Sequence, residues 1–265
     1  MADALLIAAD NDTETCRLCG IKGKLSVEHI PPACCFNDCP RVFSRMQSAT
    51  EGHVSKATGR QGMNRRSLCE RCNNLTGDRY ARHLGRFTHQ VLAYLDQLPE
   101  TYVDERMTVE IQPLEVIKQV VIMSIALGDP RSARTEIHRD LRRLVENPKH
   151  NGRIGDWRAF IYLTRTGARH CGPCGVLDKG RVIVCHGEVA LMPLGYVFLD
   201  SSRDSMARAA ELGLCDITGL LDYEYDRVKT MSFRLNVLEP SGWDPMTFWG
   251  HGDGFGRVDR QQAAK

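Results

Sequence analysis

The sequence predicts an α+β protein in two parts: a small N-terminal region rich in paired cysteines and a larger C-terminal region of mixed helix and strand. Three observations carry this. CxxC pairs stand at Cys16/Cys19 and Cys69/Cys72, both in the first third of the chain. Further on, segments with a helical apolar period are interspersed with segments that alternate. The length, 265 residues, is long for one domain and short for three.

Composition narrows the class. Hydrophobic residues make up 42% and charged residues 26%, ordinary values for a globular protein with a substantial core. No run approaches the ~18 uncharged apolar residues that span a bilayer. The short apolar run from Ala4 to Ala9 lacks the basic flank and the length of a secretion signal. A cytoplasmic protein with no membrane partner is therefore expected. The net charge of +2 neither requires nor excludes nucleic acid, because local patches decide phosphate binding. Arginines do cluster, at Arg60, Arg65, Arg66, Arg71, Arg79, Arg82 and Arg86, and again at Arg131, Arg134, Arg139, Arg142 and Arg143.

The elements follow in chain order. Leu84, Phe87, Val91, Leu92 and Leu95 give a helix over residues 83–98, which Pro99 ends. The domain boundary is placed there, giving domains 1–98 and 99–265. Met107, Val109 and Ile111 alternate and predict a strand; residues 114–127 read as a buried helix, and 131–146 as a basic amphipathic one. Strands are expected at 157–164, 181–185, 196–199 and 230–237, with a helix at 205–212. Residues 33–63 read as a long loop, mobile near 48–62 and able to order on substrate. The tail from 250 onward reads as frayed.

Eleven cysteines are many for a cytosolic chain, and in a reducing compartment paired cysteines point to metal rather than disulfide. Each CxxC turn presents two thiolates to one ion, so Cys16, Cys19, Cys69 and Cys72 together predict a closed tetrahedral zinc site of structural role. Between the pairs lies Glu28-His29-Ile30-Pro31-Pro32, a carboxylate beside an imidazole. Asn64 stands five positions before Cys69, Asn73 directly follows Cys72, and Gly77 comes four positions later.

That ordered set, over residues 16–83, resembles the HNH endonucleases, whose domain is a ββα-metal (His-Me finger) zinc knuckle. The chain departs from the commoner pattern in carrying Glu28 where Asp is usual and Asn73 where His is usual. The resemblance implies a metal-dependent nuclease hydrolysing phosphodiester bonds, with DNA the expected partner. His29 would be the general base near its ordinary pKa of ~6.5. Glu28 and Asn73 would hold one Mg²⁺ or Mn²⁺. Asn64 would brace the loop that orients His29. Because such modules occur in restriction and phage defence, the resemblance extends to an antiviral role, by analogy alone. The rivals are a zinc-dependent nucleic-acid-binding module that does not cut, and a regulatory subunit.

Other signals stay open. Arg65, Arg66, Arg79 and Arg82 are candidates for phosphate contact, or form a solvated face paired to Glu70 and Asp78. The helix at 131–146 faces DNA, a partner or only solvent. Residues 99–265 recognise substrate, bind a protein activator or form a homo-oligomer. Cys171, Cys174, Cys185 and His186 fit a second zinc, a redox pair or structural cysteines. The Asp178-Lys179-Gly180 turn predicts a hairpin that sets Cys174 beside Cys185. Cys34, Cys35 and Cys39 show no ligand spacing.

Overall fold

The computed structural model describes residues 15–39, 41–46, 54–59, 62–97, 106–130, 133, 135–164, 168–178, 180–238, 248–249 and 256–257. The architecture is mixed helix and sheet, as expected. Strand β1 (Leu25–His29) pairs antiparallel with β4 (Asn64–Cys69), and α1 (Glu70–Thr76) follows directly. Between them, β2 (Arg41–Met46) pairs with β3 (Val54–Gly59). The region read as loop thus contains a hairpin; residues 47–53 lie outside the described set.

Helix also begins earlier than its sequence period announces. A π-helical turn (Gly77–Ala81) joins α1 to α2 (Arg82–Leu95). Cys72, Thr76, Tyr80 and Leu84 are all buried. Three successive i+4 steps would carry a regular α-helix roughly 120° off its own face. The wider π turn absorbs that drift and keeps all four residues on the core.

Next come β5 (Arg106–Ile111) and α3 (Pro113–Leu127). Every residue of α3 is buried, including Glu115, Lys118 and Gln119, so this helix forms the centre of the molecule. Pro113 opens it without losing a backbone bond. α4 (Glu136–Glu146) starts on Thr135, whose side chain accepts the His138 amide N–H.

The remaining chain builds a seven-stranded sheet in the order β11-β6-β10-β9-β8-β13, with β7 also paired to β9. Its strands are β6 (Trp157–Leu163), β7 (Ala168–Cys171), β8 (Cys174–Asp178), β9 (Arg181–Leu191), β10 (Leu194–Asp200), β11 (Cys215–Asp216) and β13 (Phe248–Trp249). Helix α5 (Arg203–Glu211) covers one face. Strand period sorts the side chains: Ala159, Ile161, Tyr196 and Phe198 join the main core, while Phe160, Val197 and Leu199 join a second cluster with Ala209 of α5. A final strand, β12 (Lys229–Arg234), pairs with β5, and β14 (Gly256–Arg257) pairs with β2.

The boundary expected at residue 99 does not separate two cores. One apolar cluster runs from Cys16 and Leu84 through α3 to Phe198 and Leu235. Helix α2 ends at Leu95, and α3 packs on both halves of the chain.

His186 lies half-buried at the edge of this core, its ring stacked on Trp157 with centroids 3.9 Å apart. Burial lowers its pKa to about 4, and Asp200 opposes that only partly. Unfolded histidine titrates near ~6.5. Between these values the unfolded chain takes up a proton that the native state refuses, so stability falls as pH drops from about 6.5 to about 4. The ceiling for this one group is about 3 kcal/mol, at ~1.4 kcal/mol per unit. Urea unfolding across that interval should show the decline, and His186→Phe, which keeps the stacking, should flatten it.

Candidate functional site

The first CxxC pair forms a tight knuckle. Gly20, at φ 71°, returns the chain so that its N–H donates to the Cys16 carbonyl (2.8 Å), while the Cys19 amide donates to the Cys16 sulfur (3.5 Å). The second pair straddles a strand–helix junction: Cys69 ends β4 and Cys72 lies in the first turn of α1. A helix N-terminus favours thiolate there. The sulfurs of Cys16, Cys19, Cys69 and Cys72 all lie within 4.8 Å of one another, and Cys19 and Cys69 approach to 3.9 Å. A tetrahedral ion with Zn–S bonds of ~2.3 Å separates its sulfurs by roughly 3.8 Å. The four cysteines therefore fit a metal ion such as zinc. Cys16 is pulled well below the usual thiol range, chiefly by a hydrogen bond from Cys72.

Arg17, between the two knuckle cysteines, is buried. Its guanidinium donates to Gly128 O (2.7 Å), just past α3, and to Arg66 O (3.0 Å). Arg65 is buried as well and donates to Leu127 O (3.3 Å). Two arginines thus satisfy carbonyls that the end of α3 leaves without helical partners. The end of α4 is held likewise. Tyr80 donates to Val145 O, Arg79 to Glu146 O, and Lys118 to both Asn147 O and Pro148 O. Of the four arginines expected at phosphate, Arg65 and Arg79 are engaged in these internal ties. Arg66 and Arg82 are exposed, though Arg66 also donates to Leu25 O (2.9 Å) and Arg82 to His83 Nε2 (3.1 Å).

The polar residues of the motif lie along β1 and at its far end. His29 is its last residue and lies opposite Asn64 in the register. His29 is half-buried, and its ring has no hydrogen-bond partner among the described residues. Asn73 projects from α1 and donates from Nδ2 to Val27 O (3.2 Å), which leaves its Oδ1 available as an acceptor. Glu28 is different. It is 5% exposed, and its Oε2 accepts from the Ser67 hydroxyl (3.0 Å). Burial pushes its pKa up to about 8, against the Ser67 bond that favours the ionised form. Successive strand residues leave on opposite faces, so Glu28 turns inward where His29 turns out.

Sequence reasoning missed the residue that secures this end. Asn37, fully buried, donates from Nδ2 to Pro31 O (2.6 Å) and Met63 O (2.7 Å), and its Oδ1 accepts the Met63 N–H (2.6 Å). It thereby clamps the segment leaving His29 to the segment entering Asn64. Such bracing was expected of Asn64, whose side chain makes no hydrogen bond among the described residues. Gly62 belongs to the clamp, since at φ 75° any Cβ would press into the Asn37 backbone. Nothing in the sequence singles out an asparagine six positions after Pro31.

In the C-terminal region the hairpin is present, with Cys174 opposite Cys185. Cys185 is buried in the cluster under α5, while His186 stacks on Trp157. Among the described residues, the only group of His, Cys, Asp and Glu side chains placed to share a metal ion is the four-cysteine cluster. Nor is any described helix long and apolar enough to cross a membrane. No protein-family model, curated protein or solved structure matches this chain.

Proposed function

We propose that the chain is a metal-dependent phosphodiesterase of HNH type acting on nucleic acid, with DNA the expected substrate. The carrying observation is the ββα unit itself. The cysteine cluster lies at one end of β1, β4 and α1, His29 and Asn64 face each other at the far end of the strands, and Asn73 bonds Val27 O midway between. His29 is suited to take a proton from water through a free ring nitrogen. The Asn37 clamp holds the backbone on either side of it. Asn73 Oδ1 and the Glu28 carboxylate are the two protein oxygens for Mg²⁺ or Mn²⁺, enough for an ion that retains several waters. Such an ion would neutralise charge on the phosphate and the leaving oxygen.

The inward setting of Glu28 favours a second reading, a zinc-dependent nucleic-acid-binding module that does not cut. A carboxyl held protonated near neutrality is a poor cation ligand, and the nuclease reading requires a cation beside it to restore its charge.

Cleavage of supercoiled plasmid in Mg²⁺ or Mn²⁺ tests the first reading. Nicking by the wild-type chain that drops ~10²- to 10⁴-fold in His29→Ala, the usual contribution of a general base, is the expected result. Cleavage that survives the substitution places the chemistry elsewhere. Plasmid and single strands left intact, with the four-cysteine site still metallated, would overturn cleavage by the chain alone and leave the binding module, a regulatory subunit or a nuclease that needs an activator.

A further inference from the structure

The solvent face of α4 bears an open cleft of about 420 Å³ lined by Arg139, Arg142, Arg143, Glu146 and Asn147. Glu146 is neutralised within it, since its Oε1 lies 2.9 Å from Arg142 Nε. Arg143 is exposed and has no side-chain partner among the described residues. Arg139 meets only Glu136, at 3.9 Å, with side chains 71% and 85% exposed, an arrangement worth little in water. Glu136 and Asp140, the other acids of α4, border this face one turn before Arg139 and Arg143 and are not part of the cleft lining. The lining itself therefore carries three guanidinium groups against one carboxylate, with Arg139 and Arg143 one helical turn apart.

Its position is fixed by neighbours already described. Arg142 Nη1 donates to the Cys19 carbonyl (3.1 Å), so the knuckle abuts the cleft. Arg79, Tyr80 and Lys118 hold the α4 C-terminus from behind. On the opposite side of the helix, His138, Leu141, Leu144 and Val145 are buried. From the knuckle end of β1 to His29 is four strand steps, roughly 13 Å. That span is well within the length of a short nucleic-acid segment.

We propose that this cleft binds the phosphate backbone of nucleic acid, as a docking surface next to the zinc knuckle and apart from the residues that would cut. The inference rests on the nucleic-acid reading above and extends it to α4. Guanidinium suits the occupant because its planar fork bonds phosphate through two N–H groups at once.

The test uses the full zinc-loaded chain in a His29→Ala background, where bound substrate stays intact. A short fluorescein-labelled DNA duplex is titrated at several salt concentrations against this protein, against the same protein with Arg139→Glu and Arg143→Glu, and against a control with Arg203→Glu and Arg227→Glu. Each phosphate contact contributes about 0.9 to the slope of log affinity against log salt. Loss of two contacts should lower that slope by about 2 and weaken binding roughly 60-fold near ~0.1 M salt. The control should bind as the parent does. Arg139→Gln with Arg143→Gln should weaken binding in the same direction, which guards against a fold disturbed by reversed charge.

Duplex binding with unchanged affinity and slope in the Arg139/Arg143 variant would overturn the cleft while leaving the nucleic-acid reading intact. No binding of duplex or single strand by the parent would overturn both. Inorganic phosphate, titrated separately, should not bind measurably. Phosphate binding that depends on Arg139 and Arg143, without duplex binding, would show a small-anion site and overturn the proposal.

Discussion

Cys72→Ser is expected to release the metal ion and unfold the N-terminal region of the chain. Cys72 is buried in the first turn of α1, where it joins the helix to the Cys16–Cys19 knuckle. Structural zinc in small domains contributes on the order of 10 kcal/mol, comparable with the whole stability of an ordinary domain. The elements it would hold are short: β1 has five residues and α1 seven. Neither forms alone, since a two-stranded ribbon and a two-turn helix are each marginal in water. Loss should also spread. Arg17 and Arg65 reach from this unit to the last carbonyls of α3, so an unfolded knuckle leaves buried acceptors there without donors. Zinc content, expected at one ion per chain, and the circular dichroism of wild type and Cys72→Ser check this together. A wild type that carries no metal, and a variant that melts with it, would remove the cluster from any structural role.

Local chemistry was the legible part of this sequence. The CxxC spacing announced its cluster because two thiolates three residues apart need only a turn to converge. The 178–180 turn announced the Cys174–Cys185 pairing for the same reason. Helix α3 was legible through its strongly apolar composition. What stayed hidden depends on distant partners. Arg65 and Arg79 read as phosphate contacts because nothing near them in sequence shows Leu127 O or Glu146 O, 62 and 67 residues away. The helical start at Glu70 was masked because a π turn breaks the period by which helices are recognised. Glu28 looked like an available ligand because its place beside His29 suggests shared chemistry. The strand instead sends adjacent side chains to opposite sides, and Ser67 receives Glu28 in the interior. Arg60, Arg131, Arg134 and the tail from 250, apart from β14, lie outside the described residues, while Arg86 is exposed on α2.

Arg142 shows how one side chain couples regions that sequence analysis would keep apart. Its guanidinium bonds Glu146 on its own helix and the Cys19 carbonyl of the knuckle. A ligand in the α4 cleft would therefore meet a surface whose shape depends on the metal cluster. If the cleft binds nucleic acid as proposed, metal removal should weaken that binding in the same duplex titration, although the cleft residues are not metal ligands.

Gly195→Ala is expected to cost more than about 3 kcal/mol, because it forces overlap in a close-packed interior with no room to yield. Gly195 lies in β10 between β6 and β9, directly opposite Tyr162. An added Cβ would fall within the Tyr162 ring. That ring is 1% exposed, and its hydroxyl donates to Glu188 Oε1 (2.6 Å) across on β9. Tyr162 thus starts on one strand, crosses the glycine of the next and ends on a buried carboxylate of the third. Moving the ring aside to admit a methyl group would break that bond, and an unmet buried polar group costs about 1 to 3 kcal/mol by itself. Tyr162→Phe should lose only that smaller amount, since the ring still fills the space over Gly195. The two positions should therefore be strongly non-additive. With Tyr162→Ala already in place, Gly195→Ala should add little, giving a coupling of at least about 2 kcal/mol in a double-mutant cycle read by urea unfolding. Additive losses would mean that the glycine is required by the strand backbone alone and that the tyrosine does not lie over it in solution.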